Sequence, residues 1–236
     1  MNLSPGSARD CDGYCYRVGV VVGAAQRAGV HAVRRAAYRQ ATEFDWKDEA
    51  QLAWSRTDDE GTVIALWDAQ GQVLSTVRAN VFTELDPAED LLEYSLAGID
   101  ACTPVLVLSR AATHPGVARQ GFNSIVRYAY LAAAAASRMA CVVTLVYDGG
   151  PRLRSMREAG FALFPPHSGW DTEAVARTQP LLAWLPQARI EDALGIISQA
   201  IGNRLDEVCI DTASIAQAFR TSQGRQAASA DNGARV

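Results

Sequence analysis

The sequence predicts an α/β protein in which a mixed central sheet is flanked by helices and followed by a C-terminal helical appendage. Three observations lead there. Apolar, β-branched runs of strand length alternate with segments of helical period between about residues 16 and 186. Two of these runs, 62–68 and 72–82, are joined by the turn Asp68-Ala69-Gln70-Gly71 and read as a hairpin. The apolar stretch from Val105 to Ala112 passes through a glycine-containing loop straight into a long alanine-rich helix. With 236 residues and 49% hydrophobic content the chain can bury one sizeable core, and it contains no internal repeat.

Taken in order, residues 1–15 are polar and expected to be flexible, and Tyr16 to Val22 is a first strand broken by Gly23. Residues 24–42 place apolar or aromatic side chains at 30, 33, 37, 38 and 41, the spacing of one helix face. An acidic stretch with Phe44, Trp46 and Trp54 leads to the hairpin, after which Asp86-Pro87 opens a short helix through Leu96. The strand at 105–112 is followed by a helix to about Arg138, and Cys141 to Tyr147 is an unbroken apolar run, as in a strand buried on both faces. Asp148-Gly149-Gly150-Pro151 starts a helix ending at Gly160, and strands near Phe161–Phe164 and Leu181–Leu185 close the core. From 187 to 220 the apolar residues Ile190, Ala193, Leu194, Ile197, Ile201 and Leu205 recur at helical spacing, and Asp211 or Thr212 can cap a further short helix carrying Ile215 and Phe219. Packing on the core is the favoured use of those faces, ahead of a lid or a dimer contact. Residues 221–236 are small and polar and are expected to form a disordered tail.

Composition excludes several functions. No apolar run approaches the roughly 20 residues of a membrane span, and the start MNLSPGSARDCDG lacks the apolar core of a secretory signal, so a cytoplasmic location is expected. The net charge of −4 argues against nucleic acid as a partner. Cysteines at 11, 15, 102, 141 and 209 form no metal-binding spacing, so no metal is expected and unpaired thiols are the simplest reading.

Charge is nevertheless unevenly spread. Between 110 and 158 stand Arg110, Arg119, Arg127, Arg138, Arg152, Arg154 and Arg157 against only Asp148 and Glu158. Within this basic region the turn His114-Pro115-Gly116 and the run Arg119-Gln120-Gly121-Phe122-Asn123 precede the long helix. A helix start leaves backbone N–H groups unpaired and carries the positive end of the macrodipole, so it favours an anion such as phosphate.

This strand, loop and helix resemble the acyl-donor segment of the GCN5-related N-acyltransferase (GNAT) superfamily. The superfamily pattern is Gln or Arg, two residues, Gly, one residue, then Gly or Ala. Gly121 fits it, whereas Ala118 and Asn123 stand at the first and last positions, with Arg119 one step along from the first. The element order from 16 to 186 is that of the GNAT acyltransferase fold. Within the superfamily, Arg34, Tyr38, Phe44 and Trp46 resemble the first-helix pattern of the acyl-homoserine lactone synthases and the N-acyl amino acid synthases. Ser75-Thr76-Val77-Arg78 resembles a strand of those families that ends in arginine, and Leu108-Ser109-Arg110 matches the end of their Glu-Leu-Ser-Arg strand. Val107 occupies the place of the glutamate, which makes amide formation the better expectation than lactone formation.

The resemblance implies transfer of an acyl group, a long-chain fatty acyl group included, from a phosphopantetheine thioester to an amine such as that of an amino acid or peptide. The thioester donor is acyl-CoA or an acyl carrier protein. Backbone and side-chain groups expected at the donor are Ala111, Ala112, Thr113, Arg119, Gln120, Gly121, Phe122, Asn123, Ser124 and Asp148. Ser109, Arg110 and Tyr147 are the catalytic candidates. Many superfamily members present a tyrosine as proton donor at the position held here by Met156, and Tyr147 is the substitute. Arg34 and Arg78, with Trp46, are expected to face the acceptor, the guanidinium groups suiting a carboxylate. Two readings stand beside this one: an acetyl-CoA-dependent small-molecule acetyltransferase, and a binding protein that kept the fold and lost its acid, for which Val107 and Met156 speak.

Overall fold

The computed structural model describes residues 13–41, 52–150, 152–165 and 180–233, of which 225–233 are described as backbone only. The elements, in chain order, are β1 (Tyr16–Val20), α1 (Gly23–Gln40), α2 (Arg56–Glu60), β2 (Thr62–Asp68), β3 (Val73–Phe82), α3 (Asp86–Leu92), β4 (Val105–Thr113) and α4 (Phe122–Ala136). They continue with β5 (Cys141–Tyr147), α5 (Leu153–Glu158), β6 (Ala162–Phe164), β7 (Pro180–Pro186), α6 (Ile190–Ile201), β8 (Val208–Ile210) and α7 (Thr212–Gly233). The eight strands form one sheet in the order β6-β7-β5-β4-β3-β2-β1-β8. Pairing is antiparallel except between β4 and β5 and between β1 and β8.

Alternation along the strands sorts side chains to the two faces. Ile64, Leu66, Val77, Leu106, Leu108, Val142 and Val146 point into one cluster, which α4, α6 and α7 cover with Ile125, Ala129, Ile197, Ile215 and Phe219. On the opposite face Val63, Ala65 and Trp67 meet Val30 and Val33 of α1, while Val105, Val107 and Val143 meet Ala88 and Leu92 of α3. The strands are apolar on both sides because helices cover both, as the unbroken run of β5 predicts. Val107, in the position where the resembling families carry glutamate, is wholly enclosed in this second cluster.

Several expectations are corrected. The α3 helix stops at Leu92, because Glu93 turns into the left-handed region at φ 50° and ends the helix. The acidic stretch contains a short helix, α2, that its lack of apolar period concealed; it is held by a capping box between Ser55 and Asp58. The C-terminal appendage is not wholly helical, since β8 adds an edge strand parallel to β1, and only three residues carry that signal. Its helices pack against α4, and their apolar faces belong to the main core.

The expected tail from 221 is also revised: α7 continues to Gly233. Once Thr212 to Phe219 is anchored by packing, the alanines and glutamines that follow can extend an existing helix without the cost of nucleating a new one. Asp211 starts that helix by accepting a hydrogen bond from the Ser214 N–H at 3.0 Å. Cys209 is disulfide-bonded, against the expectation of unpaired thiols, while Cys15, Cys102 and Cys141 are free. Chain spacing does not reveal which cysteines approach within bonding distance. The expected flexible N-terminus up to Asp12, and Phe44 and Trp46, lie outside the described residues.

Candidate active site

The site begins with a separation of two strands. Parallel β4 and β5 pair from Val105 with Cys141 to Leu108 with Thr144, and then diverge, although β4 continues to Thr113 and β5 to Tyr147. Ligands of open α/β sheets bind beyond the carboxyl ends of such strands. A cavity of about 370 Å³ fills the gap, within the usual size of a small-molecule site. Ser109, Arg110, Ala111, Ala112 and Thr113 form one wall, Thr144 to Tyr147 another, and Tyr38, Asn123, Gly150 and Arg152 close it.

A bulge shapes the first wall. On β3, Arg78 pairs with Ser109 and Thr76 with Ala112, so Arg110 and Ala111 have no partner across the ladder. Arg110 adopts φ 49°, an uncommon conformation for a residue other than glycine. The bulge re-aims the backbone of β4 toward the cleft, and the Ala111 carbonyl accepts a hydrogen bond from the Tyr38 hydroxyl at 3.3 Å.

Behind this wall lies a charge cluster. Arg34 is completely buried and donates from Nη2 to Asp58 Oδ1 at 2.8 Å. Arg110 donates from Nη1 to the Ala53 carbonyl at 2.9 Å and reaches Asp58 Oδ2 at 3.4 Å. The Ser55 N–H and hydroxyl also donate to Asp58 Oδ2, at 2.9 and 3.0 Å. Burial pushes the Asp58 carboxyl up, but the hydrogen bond and charge of Arg34, the Ser55 N–H and the charge of Arg78 outweigh it and hold the group below the usual carboxylate range. Arg78 is buried and donates from Nε to Ser109 Oγ at 2.9 Å. Burial lowers the Arg78 guanidinium to about 10, with Arg110 and Arg34 acting in the same sense and Asp58 opposing them, so it remains a cation at neutral pH.

These contacts redistribute the expected roles. The three arginines do converge, and Arg34 and Arg110 both meet Asp58, while Arg34 Nε and Nη1 are buried without a hydrogen-bond partner. Arg34, expected to face the acceptor, is buried against Asp58 and does not line the cleft. Arg78 reaches the cleft through Ser109. Because the Ser109 oxygen accepts from Arg78, its own proton is free to be donated. Tyr147 lines the cleft as expected, and burial, with Tyr38 and Glu93 adding to it, pushes its phenol up to about 12. Met156 is buried in the core and plays no part in the cleft.

The mouth of the cleft is the start of α4. Gly121, at φ 82°, occupies the left-handed N-cap position, and no side chain caps the helix. The first-turn N–H groups of Phe122, Asn123 and Ser124 are therefore placed as the anion-binding argument requires. Arg119 and Gln120 are exposed beside them. Asn123 lines the cleft, whereas the Phe122 side chain turns inward and packs on the Tyr16 ring at 5.0 Å between centroids, so only its backbone is offered. Asp148 is exposed in the turn after β5 and does not line the cleft, because α5 starts only at Leu153 and the turn carries Asp148 outward.

Sequence reasoning gave no role in the cleft to four contributors. Tyr38 was marked only by its place in the first-helix resemblance, and Asp58 was concealed because its arginine partners lie 24 and 52 positions away. Arg204 donates to the Gln120 carbonyl from the turn after α6 and sits over the Phe122 ring at 5.7 Å, a contact no linear pattern reveals. Arg152 was counted in the basic segment but not placed in the cleft. Among the described residues no group of His, Cys, Asp and Glu is arranged to hold a metal. No described helix is long and apolar enough to cross a membrane.

No family model matches the sequence, and no curated protein matches it in sequence. Solved structures do match in three dimensions. A CoA-dependent acyl-homoserine lactone synthase, BjaI, superposes with a TM-score of 0.56 at 15% identity, over 80% of this chain and 90% of that one. FeeM, an N-acyl amino acid synthase from uncultured soil microbes, gives 0.53 at 11% identity, over 75% and 94%. The acyl-homoserine lactone synthase LasI gives 0.55 at 16% identity, over 77% and 95%. The neighbours are acyltransferases and synthases. With its splayed parallel strands and the helix N-terminus at their mouth, this chain has the GCN5-related N-acyltransferase fold, in a form shared with the acyl-homoserine lactone and N-acyl amino acid synthases.

Proposed function

We propose that the protein is an N-acyltransferase that moves an acyl group from an acyl-CoA or acyl carrier protein thioester to an amine, that of an amino acid or peptide. The observation that carries this reading is the cleft between β4 and β5, bulged at Arg110 and opening at the uncapped start of α4. A phosphopantetheine thioester suits that shape: its phosphates meet the first-turn N–H groups and Arg119, and its extended arm follows the unpaired strand ends.

In the reaction the amine nitrogen attacks the thioester carbonyl carbon. The C–N bond forms, the C–S bond breaks, the nitrogen loses one proton, and the departing thiolate takes one up to leave as free thiol. Donors aimed at the developing oxyanion contribute much of the rate, and the Ser109 hydroxyl, oriented by Arg78, is one at hand. Tyr147, whose phenol stays protonated far above neutral pH, is suited to protonate the sulfur. Arg34 and Asp58 act as positioning residues that fix the bulged wall through Arg110. Holding donor and amine together supplies the remaining advantage.

A non-catalytic binding protein is the second reading, favoured by one observation: Val107 and Met156, at the positions of the usual acids, are both fully buried in apolar clusters. Purified protein incubated with octanoyl-CoA and amino acids separates the two. Amide formation with stoichiometric thiol release supports the enzyme, and saturable binding without thiol release supports the binder.

A further inference from the structure

One cation of the cleft has no carboxylate partner among the described residues. Arg152 precedes α5 and lines the cavity opposite Ser109 and Arg110, and its Nε is sealed from solvent without a hydrogen-bond partner. Behind it stands Arg127 of α4, buried, whose Nη groups reach only neutral acceptors, the Ser155 carbonyl and hydroxyl at 3.2 Å. Arg127 Nε is likewise unpartnered. A buried and a half-buried guanidinium group thus lie together where no carboxylate among the described residues pairs with either. Burial and then the like charge of Arg127 lower the pKa of Arg152, while the neighbouring phenols of Tyr130 and Tyr38 oppose this.

On the opposite wall Arg34 and Arg110 have a carboxylate partner in Asp58, which Arg152 and Arg127 lack among the described residues. Charges carried by the described lining residues are Arg110 and Arg152, both positive. Burying an unpaired cation beside another is costly unless an anion joins them. A guanidinium fork suits a planar carboxylate in two-point geometry.

We infer that Arg152, backed by Arg127, is a carboxylate-recognition site within the cleft, and that a substrate of the proposed acyl transfer carries a carboxylate there. This deepens the acyltransferase reading and rests on it. The carboxylate has two sources: the α-carboxylate of an amino acid acceptor, or the far end of a dicarboxylic acyl group on the donor. The coenzyme phosphates do not serve, since the uncapped N-terminus and Arg119 stand at the mouth of the cleft.

The test is calorimetric binding to the full chain of matched pairs differing only in that charge. One pair is N-octanoyl-leucine and N-octanoyl-leucinamide, which report the acceptor side without turnover. The other is suberyl-CoA and octanoyl-CoA, which report the donor side. The expected result is about 10-fold or more tighter binding of the charged member of one pair, lost in Arg152→Gln and partly kept in Arg152→Lys. The pair showing the preference names the source. Equal binding of both members of both pairs overturns the inference, as does an Arg152→Gln loss of the same size for charged and neutral members. Octanoyl-CoA serves as the separate control: if it binds while no preference is seen, the carboxylate site fails and the acyltransferase reading stands. If it does not bind, that reading is weakened, whatever the leucine pair shows. Should Arg152→Gln fail to fold, Arg127→Gln is measured on the same pairs and must shrink the preference.

Discussion

At the scale of the residue, the chemistry of the cleft depends on side chains whose protonation is set by burial. Burial holds Tyr147 as a neutral phenol up to about pH 12, so the proton-donor role proposed for it would be independent of pH through the neutral and mildly basic range. Tyr147→Phe is expected to lower kcat by about 10²-fold or more with little change in KM, measured by thiol release at saturating donor. A variant with unchanged kcat would remove Tyr147 from the reaction. Ser109→Ala leaves the Arg78 Nε without its acceptor and is expected to lower kcat as well.

Asp58 governs stability at the same scale. Removing it strands two arginines, one of them fully buried, so Asp58→Ala is expected to destabilise the protein by about 3–5 kcal/mol in urea unfolding. Its folded carboxyl lies below the ordinary value near about 3.9. The stabilisation is therefore present above about pH 4 and lost as pH falls through the folded value. Wild type should show an acid-dependent loss of stability over that window that Asp58→Asn lacks.

Elements set these side chains in place, and here the sequence was readable to different depths. The strands and long helices were legible because period and length carry them: β2, β3, β4, β5 and α4 fall within a few residues of the expected ranges. The start of α4 was legible from Gly121 because a left-handed N-cap requires that residue type. Replacing exposed Arg119 with Glu, which leaves the backbone donors intact, is expected to weaken coenzyme A binding by about 10-fold while leaving unfolding unchanged. That comparison isolates the electrostatic contribution of the loop.

Elements whose signal lies in distant contacts were not legible. The three residues of β8 become a strand only because β1 offers an edge, and α2 has no apolar face to announce it. The cluster around Asp58 was half legible. The arginines were marked by resemblance, but the carboxylate that meets two of them sits in a polar stretch without periodicity. Short polar residues there give no hint of burial.

For the whole molecule, the appendage completes the core. Phe219 of α7 is wholly enclosed among side chains of the sheet and α4, so Phe219→Ala is expected to cost about 3–5 kcal/mol, as for a large core side chain. The cleft lies in the sheet between α1 on one side and α4 on the other, and the packing of α6 and α7 onto α4 holds that wall from behind. Arg204 extends the same support to the donor loop through the Gln120 carbonyl. Fold, bulge and cleft thus form one assembly.

The most direct test is to incubate purified protein with octanoyl-CoA, and in parallel with octanoyl carrier protein, and a pool of amino acids, following free thiol and the mass of new products together. The account predicts thiol release matched by N-octanoyl amides, abolished or strongly reduced in Tyr147→Phe. Octanoyl-CoA and octanoyl carrier protein both left intact, with or without binding, would contradict it.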